Sequence, residues 1–189
     1  MNEKRFRLDF VIAIGALLIS SVAALASVYQ SRVVAQQFSA TVWPYVSIDT
    51  TNSPSLIEMD IRNDGLGPAI VRSVTMTYDG KPQPSLEAIF ALLGRDPRSR
   101  AAILAAHRAG EKISVTTSTP TTGLVIAANT QHTIVRMEGA VLVQQFRPRF
   151  ERFGLSLCYC SLTGACWQER LHDTGAEPKR VSSCASGQG

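Results

Sequence analysis

Four cysteines, three histidines and two knots of arginine are the residues whose chemistry is worth asking about first in this 189-residue chain. Cys158, Cys160, Cys166 and Cys184 are an even set, which in an oxidising compartment reads first as disulfides. A three-residue hairpin loop of Leu162, Thr163 and Gly164, with the glycine left-handed, opposes Cys160 to Cys166 and permits a bond between them. A two-residue Thr163-Gly164 turn instead opposes Cys160 to Trp167 and sends Cys166 to the other face. The first register leaves Cys158 for Cys184, a bond that pins the tail.

The alternative chemistry is a metal or redox site, with Cys158, Cys160, Cys166 and His172 offering three sulfurs and a nitrogen to zinc or copper. Cys-x-Cys followed by a five-residue gap is an uncommon zinc spacing, and no Cys-x-x-Cys opens a helix that would acidify a thiol. His107, His132 and His172 are scattered. Glu58 and Asp60 share an outward strand face and read as solvated. No nucleophile elbow, phosphate loop, His-Glu-x-x-His helix or dinucleotide fingerprint occurs. The expectation is a protein that is not an enzyme, with no catalytic residues, no cofactor and no resident metal.

The chain carries a formal net charge of +4, from 19 lysines and arginines and 15 acidic residues. Half of that surplus lies in the first 32 residues, where Lys4, Arg5, Arg7 and Arg32 face Glu3 and Asp9, so the body is nearly neutral. That distribution, with no aromatic platform between the basic residues, argues against nucleic acid. Arg95, Arg98 and Arg100 crowd one connection and Arg147, Arg149 and Arg152 another; both read as solvated basic faces. The first trio is the candidate interaction patch, for an acidic partner or anionic lipid headgroups.

The element that places all of this is the amino-terminal segment. Phe10 to Ser31 is a run of 22 residues without a charge, about 33 Å as a helix and long enough for a bilayer core of about 30 Å. The serines within it can bond their own preceding carbonyls. Basic residues concentrated before the run put the amino terminus in the cytoplasm and the rest outside. Ala24-Leu25-Ala26 also has the small-x-small form of a signal-peptidase site, but the length of the run favours an uncleaved anchor. Residues 1–9 are then cytoplasmic, 10–31 transmembrane and 32–40 a linker helix.

From residue 41 to 173 the texture is short and β-branched. Thr41–Asp49, with Pro44 marking an edge, Ser55–Arg62, Ala69–Tyr78, Ile113–Thr117, Gly123–Ala127, Gln131–Met137, Phe153–Ser161 and Ala165–Arg170 read as strands. Between them, Ser85 caps a helix over Leu86–Leu93 and Asp96-Pro97 opens a second through Ala109. The fold class is therefore mainly β: a transmembrane helix, then an immunoglobulin-like β-sandwich with a helical insertion at 85–110 and a flexible tail at 174–189.

Trp43-Pro44-Tyr45 after the apolar run, Asn63-x-Gly65-x-Gly67-Pro68-Ala69, and Cys158-Tyr159-Cys160-Ser161 followed by Cys166-Trp167 form a pattern that resembles uncharacterised bacterial single-pass membrane-anchored proteins. The resemblance implies an inner-membrane anchor, a β-rich periplasmic or extracellular domain and no known activity. The glycines of the Asn63–Ala69 turn are expected to supply positive φ angles, and Trp43, Tyr45 and Trp167 to serve packing. The partners expected are the lipid bilayer and a protein or envelope component, bound by a scaffold or binding module.

Overall fold

The computed structural model describes residues 3–173 and 177–184. The chain divides into two compact units between Thr41 and Val42. The first is one helix, α1 (Glu3–Thr41), whose Phe10–Thr41 stretch contains an 18-residue window with a mean hydropathy of 2.4 and no buried residues. By length and composition it can cross a membrane. Ser21 Oγ donates to the Leu17 carbonyl at 2.8 Å, so a hydroxyl inside the apolar run is satisfied by its own helix.

The second unit is mainly β. Its strands are β1 (Val46–Ser53), β2 (Leu56–Asn63), β3 (Ala69–Tyr78), β4 (Lys81–Gln83), β5 (Ser114–Thr117), β6 (Val125–Ile126), β7 (Thr130–Glu138), β8 (Phe153–Cys160), β9 (Cys166–Arg170) and β10 (Lys179–Val181). They form two antiparallel sheets. One runs β1-β2-β7-β5; the other runs β10-β9-β8-β3-β4, with β6 also on β3. Alternation explains the shared core. Ile57, Met59 and Ile61 of β2 are fully buried, as Leu157 of β8 is, and Tyr159 of β8 and Val71 of β3 nearly so; all belong to one hydrophobic cluster. Pro44, unable to donate to a ladder, stays outside β1, which starts two residues later on the sheet edge.

Helices α2 (Leu86–Leu93) and α3 (Pro97–Arg108) lie between β4 and β5. Ser85 Oγ accepts from Ala88 N at 3.2 Å, and Asp96 caps α3 by accepting from Arg98 N at 3.1 Å, with Pro97 at the first helical position. A third helix, α4 (Ala140–Phe150), occupies residues between β7 and β8 for which the sequence predicts no element. It buries Leu142, Val143 and Phe146, and Phe146 meets Phe90 of α2 with ring centroids 5.3 Å apart. No side chain of its own caps it. Glu111, thirty residues earlier, accepts from Val141 N at 3.0 Å in that role.

Residues 174–176 and 185–189 of the expected flexible tail lie outside the described residues. Residues 177–184 contain β10, which pairs with β9 in the register Val181 to Cys166.

Candidate functional site

The three motifs of the sequence meet where the chain enters the β domain. Asn63 is fully buried, and its amide is used on every side. Oδ1 accepts from Tyr45 N at 3.1 Å and Gly65 N at 3.0 Å, while Nδ2 donates to the carbonyls of Gly67, Ile126 and Ala127 at 2.9, 3.0 and 3.2 Å. The main chain adds Leu66 N and Gly67 N, both donating to Trp43 O, and Asp64 N donating to Tyr45 O. One asparagine thus ties the incoming strand, the β2–β3 turn and the loop after β6 together.

The glycines of that turn act by size, which corrects the expectation of positive φ: neither Gly65 nor Gly67 is in the left-handed region. A Cβ on Gly65 would stand 2.5 Å from Trp43 O and 2.6 Å from Pro44 C, and one on Gly67 2.6 Å from Val42 Cα. The backbones approach too closely for any side chain. Above the turn, Trp43 packs edge-on to Tyr45 at 5.6 Å and to Trp167 at 6.4 Å, and Trp167 stacks on Tyr159 at 5.9 Å. Tyr159 Oη accepts from Val46 N at 3.2 Å, and burial pushes its phenol well above the ordinary range. These residues hold a fold together.

On β8, Cys158 and Cys160 alternate with Tyr159 and so project from the opposite face. Gly164 is left-handed at φ 84°, Ser161 N donates to Ala165 O, and Cys160 stands opposite Cys166. Cys160 and Cys166 are at disulfide distance with Cα atoms 4.0 Å apart; Cys158 and Cys184 likewise, at 5.6 Å. The two pairs touch: Cys160 Sγ is 3.7 Å from Cys184 Sγ, and the sulfurs of Cys160, Cys166 and Cys184 all lie within 4.8 Å of one another. His172 does not join them, its Nε2 being 3.1 Å from the Phe153 carbonyl. The sulfur trio therefore contains Cys184 where the sequence reading of a metal set has Cys158 and His172.

The two arginine knots converge through α3 and α4, and they differ. Arg149 donates to Asp96 at 2.5 Å, Ser99 Oγ donates to Asp96 at 2.7 Å, and Ser99 also meets Gln145 at 2.9 Å. The Ser99 hydrogen bond, then the Arg149 guanidinium, hold the Asp96 carboxyl down at about 2. Arg152 pairs with Asp79 and lies over the Tyr78 ring, and Arg147 donates to Ser53 O at 2.7 Å. Arg147 and Arg152 of that second knot are exposed, as expected of a solvated face, and keep these partners at the surface, while Arg149 of α4 is half-buried. Arg95, Arg98 and Arg100 remain exposed, and among the described residues none has a carboxylate within ion-pair distance.

Other polar groups were not legible as site residues. Asp60, expected on a solvated face, is buried, beside a register shift between Met59 and Asp60 in the β2–β7 pairing. Glu169 is buried on the core-facing side of β9, two residues from Trp167, and burial, with the Asp173 and Asp49 charges, raises its carboxyl to about 7. Between α2, α4 and the sheets lies an apolar cavity of about 20 Å³ bordered by Phe90, Met137 and Phe146, room for one water.

Taken together these features define a mainly β domain of two antiparallel sheets behind a helix apolar enough to span a bilayer. Compared with known proteins, the chain matches no family model, no curated protein and no solved structure.

Proposed function

We propose that this protein is a non-enzymatic, single-pass binding or scaffold module of a bacterial inner membrane. In this reading residues 10–31 are the anchor, the amino terminus is cytoplasmic, and an immunoglobulin-like sandwich with a helical insertion stands in the periplasm or outside the cell. The observation that carries it is the unburied apolar stretch Phe10–Thr41, leading directly into a β domain whose four cysteines stand in pairs at disulfide distance. Disulfides persist outside the cytoplasm, so anchor and cysteines point to one compartment. The likeness to membrane-anchored proteins with the Trp-Pro-Tyr, Asn-x-Gly-x-Gly-Pro-Ala and Cys-Tyr-Cys-Ser pattern belongs to the same reading.

The contact surface we assign is the arginine trio. Within the β domain, Val42–Tyr45 packs at the end of β3 that begins with Ala69, while Asp96 and Arg149 sit near the start of β8, which pairs Phe153 with Tyr78 at the other end. Those ends are the first and last of ten strand residues, about 30 Å apart. Arg95, Arg98 and Arg100 thus lie at the end of the domain remote from where the chain enters, a position suited to an acidic protein or envelope polymer. A reporter active only outside the cytoplasm, fused after Gly189, should be active; an inactive reporter overturns the orientation. Arg→Glu substitution at all three positions should abolish co-purification of the partner from membranes in mild detergent, and unchanged recovery refutes the surface.

A second reading, a metal-binding or redox protein, is favoured by the three sulfurs within 4.8 Å. Zinc or copper in stoichiometric amount, with free thiols in protein taken from the envelope, would put it first.

A further inference from the structure

We propose that the four cysteines form a thiol–disulfide exchange site that takes an external dithiol as its partner and passes reducing equivalents from a half-buried bond to a buried one. The proposal rests on the redox half of the second reading and needs no metal. Two observations carry it: the 3.7 Å separation of Cys160 Sγ and Cys184 Sγ, and the difference in exposure between the pairs. Cys158, Cys160 and Cys166 are 6–7% exposed, whereas Cys184 is half-buried, so Cys184 offers the accessible sulfur.

One thiolate of the dithiol attacks Cys184 Sγ, and Cys158 leaves as a thiolate. The second thiol then resolves the mixed disulfide, so the dithiol is oxidised by two electrons and Cys158 and Cys184 become thiols. The Cys184 thiolate attacks Cys160 Sγ: the Cys184–Cys160 bond forms, the Cys160–Cys166 bond breaks, and Cys166 leaves as a thiolate and takes up the proton Cys184 lost; attack of the Cys158 thiolate on Cys184, with Cys160 leaving and taking up the proton Cys158 lost, then restores Cys158–Cys184 and leaves the hairpin pair as thiols. To bond, Cys184 Sγ must close on Cys160 Sγ by about 1.7 Å and also swing toward the line of the Cys160–Cys166 bond, since three sulfurs within 4.8 Å of one another are not in line. Cys184 does not drift away once Cys158 is released, because β10, three residues before it, is held to β9 by the pairing of Val181 with Cys166 and Lys179 with Gln168. The same product arises from the other side: if the hairpin bond is reduced first, Cys160 attacks Cys184 and Cys158 leaves.

The marker of exchange is therefore a Cys160–Cys184 disulfide, which the oxidised protein lacks. Cys158→Ser leaves Cys184 free beside Cys160–Cys166, and Cys166→Ser leaves Cys160 free beside Cys158–Cys184. Both full-length variants, purified without reductant, acid-trapped and mass-mapped, should contain the Cys160–Cys184 crosslink, and Cys184→Ser should not. Wild-type protein treated with one equivalent of dithiothreitol should give the same crosslink, which keeps the test valid if a variant fails to fold. Retention of the original remaining bond alone, in both variants and in partly reduced wild type, would overturn the exchange while leaving the two disulfides in place. Four thiols around bound zinc in the untreated protein would overturn it together with the redox reading on which it rests.

Discussion

Glu169→Gln should make this protein more stable at neutral pH and leave it unchanged in acid. Glu169 is 7% exposed on the core-facing side of β9, opposite Leu157 in the β8 register. Removal from water is the main reason its carboxyl titrates at about 7 instead of 4.5, with the negative charges of Asp173 and Asp49 adding to it. The folded state therefore holds this proton more tightly than the unfolded chain does. The stability it contributes is fully present below pH 4.5, declines as pH rises toward 7, and is absent above. At 1.36 kcal/mol for each pH unit between the two values, the loss by pH 8 is roughly 3 kcal/mol.

Glutamine keeps the size and cannot ionise, so it escapes that loss. Denaturant unfolding of the detergent-solubilised full-length protein, disulfides intact, should show the variant and wild type alike near pH 4 and about 3 kcal/mol apart near pH 8. In thermal melts that gap is roughly 6–12 °C for a chain of this size. Asp96 works in the opposite sense: its carboxyl, held at about 2, contributes stability that is complete above 3.8 and lost as pH falls toward 2, and it cancels in the comparison because both proteins carry it. Parallel pH curves for the two proteins, with no divergence between pH 5 and 8, would refute the assignment of a buried, proton-holding carboxyl.

Three further substitutions probe what holds the fold. Gly67→Ala should cost about 1–3 kcal/mol in the same denaturant titration, since its Cβ would stand 2.6 Å from Val42 Cα and the incoming backbone must move. Asn63→Ala strips partners from buried backbone groups of Tyr45, Gly65, Gly67 and Ile126 and should cost about 3 kcal/mol or more; a smaller loss than Gly67→Ala would contradict its central role. Glu111→Ala removes the remote cap of α4 and should cost about 1 kcal/mol, with amide exchange accelerating first at Val141.

Why some elements were legible and others not follows from where their determinants lie. The alternation of Ile57, Met59 and Ile61, the turn residues around Gly80 and Gly164, and the local caps Ser85 and Asp96 sit within or beside the elements they define, so the pattern alone places β2, β3, the β8–β9 hairpin, α2 and α3. The cap of α4 is Glu111, Gly139 precedes the helix with no side chain to offer, and Pro148 falls inside it, so nothing local announces a helix. β10 has three residues in a Ser-rich stretch and exists through pairing with β9. Glycine was recognised at positions 65 and 67 for the wrong reason, because a close approach between Val42–Tyr45 and a turn twenty residues on leaves no trace in the dihedral preferences of either segment.

The same distinction bears on function. Trp43 and Tyr45 of the first motif and Asn63, Gly65 and Gly67 of the second are engaged in fastening the first strand of the domain to the turn beneath it. A catalytic group must have an unspent lone pair, proton or charge to bring to a substrate, and Asn63 and Tyr159 have theirs committed to the backbone. Of the second arginine knot, Arg149 and Arg152 are paired with carboxylates and Arg147 with a carbonyl, whereas no arginine of the first has a carboxylate partner among the described residues. Among the described residues, the exposed trio Arg95, Arg98 and Arg100, the touching sulfur pairs and the buried carboxyls of Glu169 and Asp60 keep chemistry to spend. The arginines hold fixed charge and suit recognition; the sulfurs hold electrons and suit exchange. The two lie on different elements, α3 with its preceding connection on one side and the β8–β9 hairpin with Cys184 after β10 on the other, so charge reversal at one and cysteine substitution at the other should act independently.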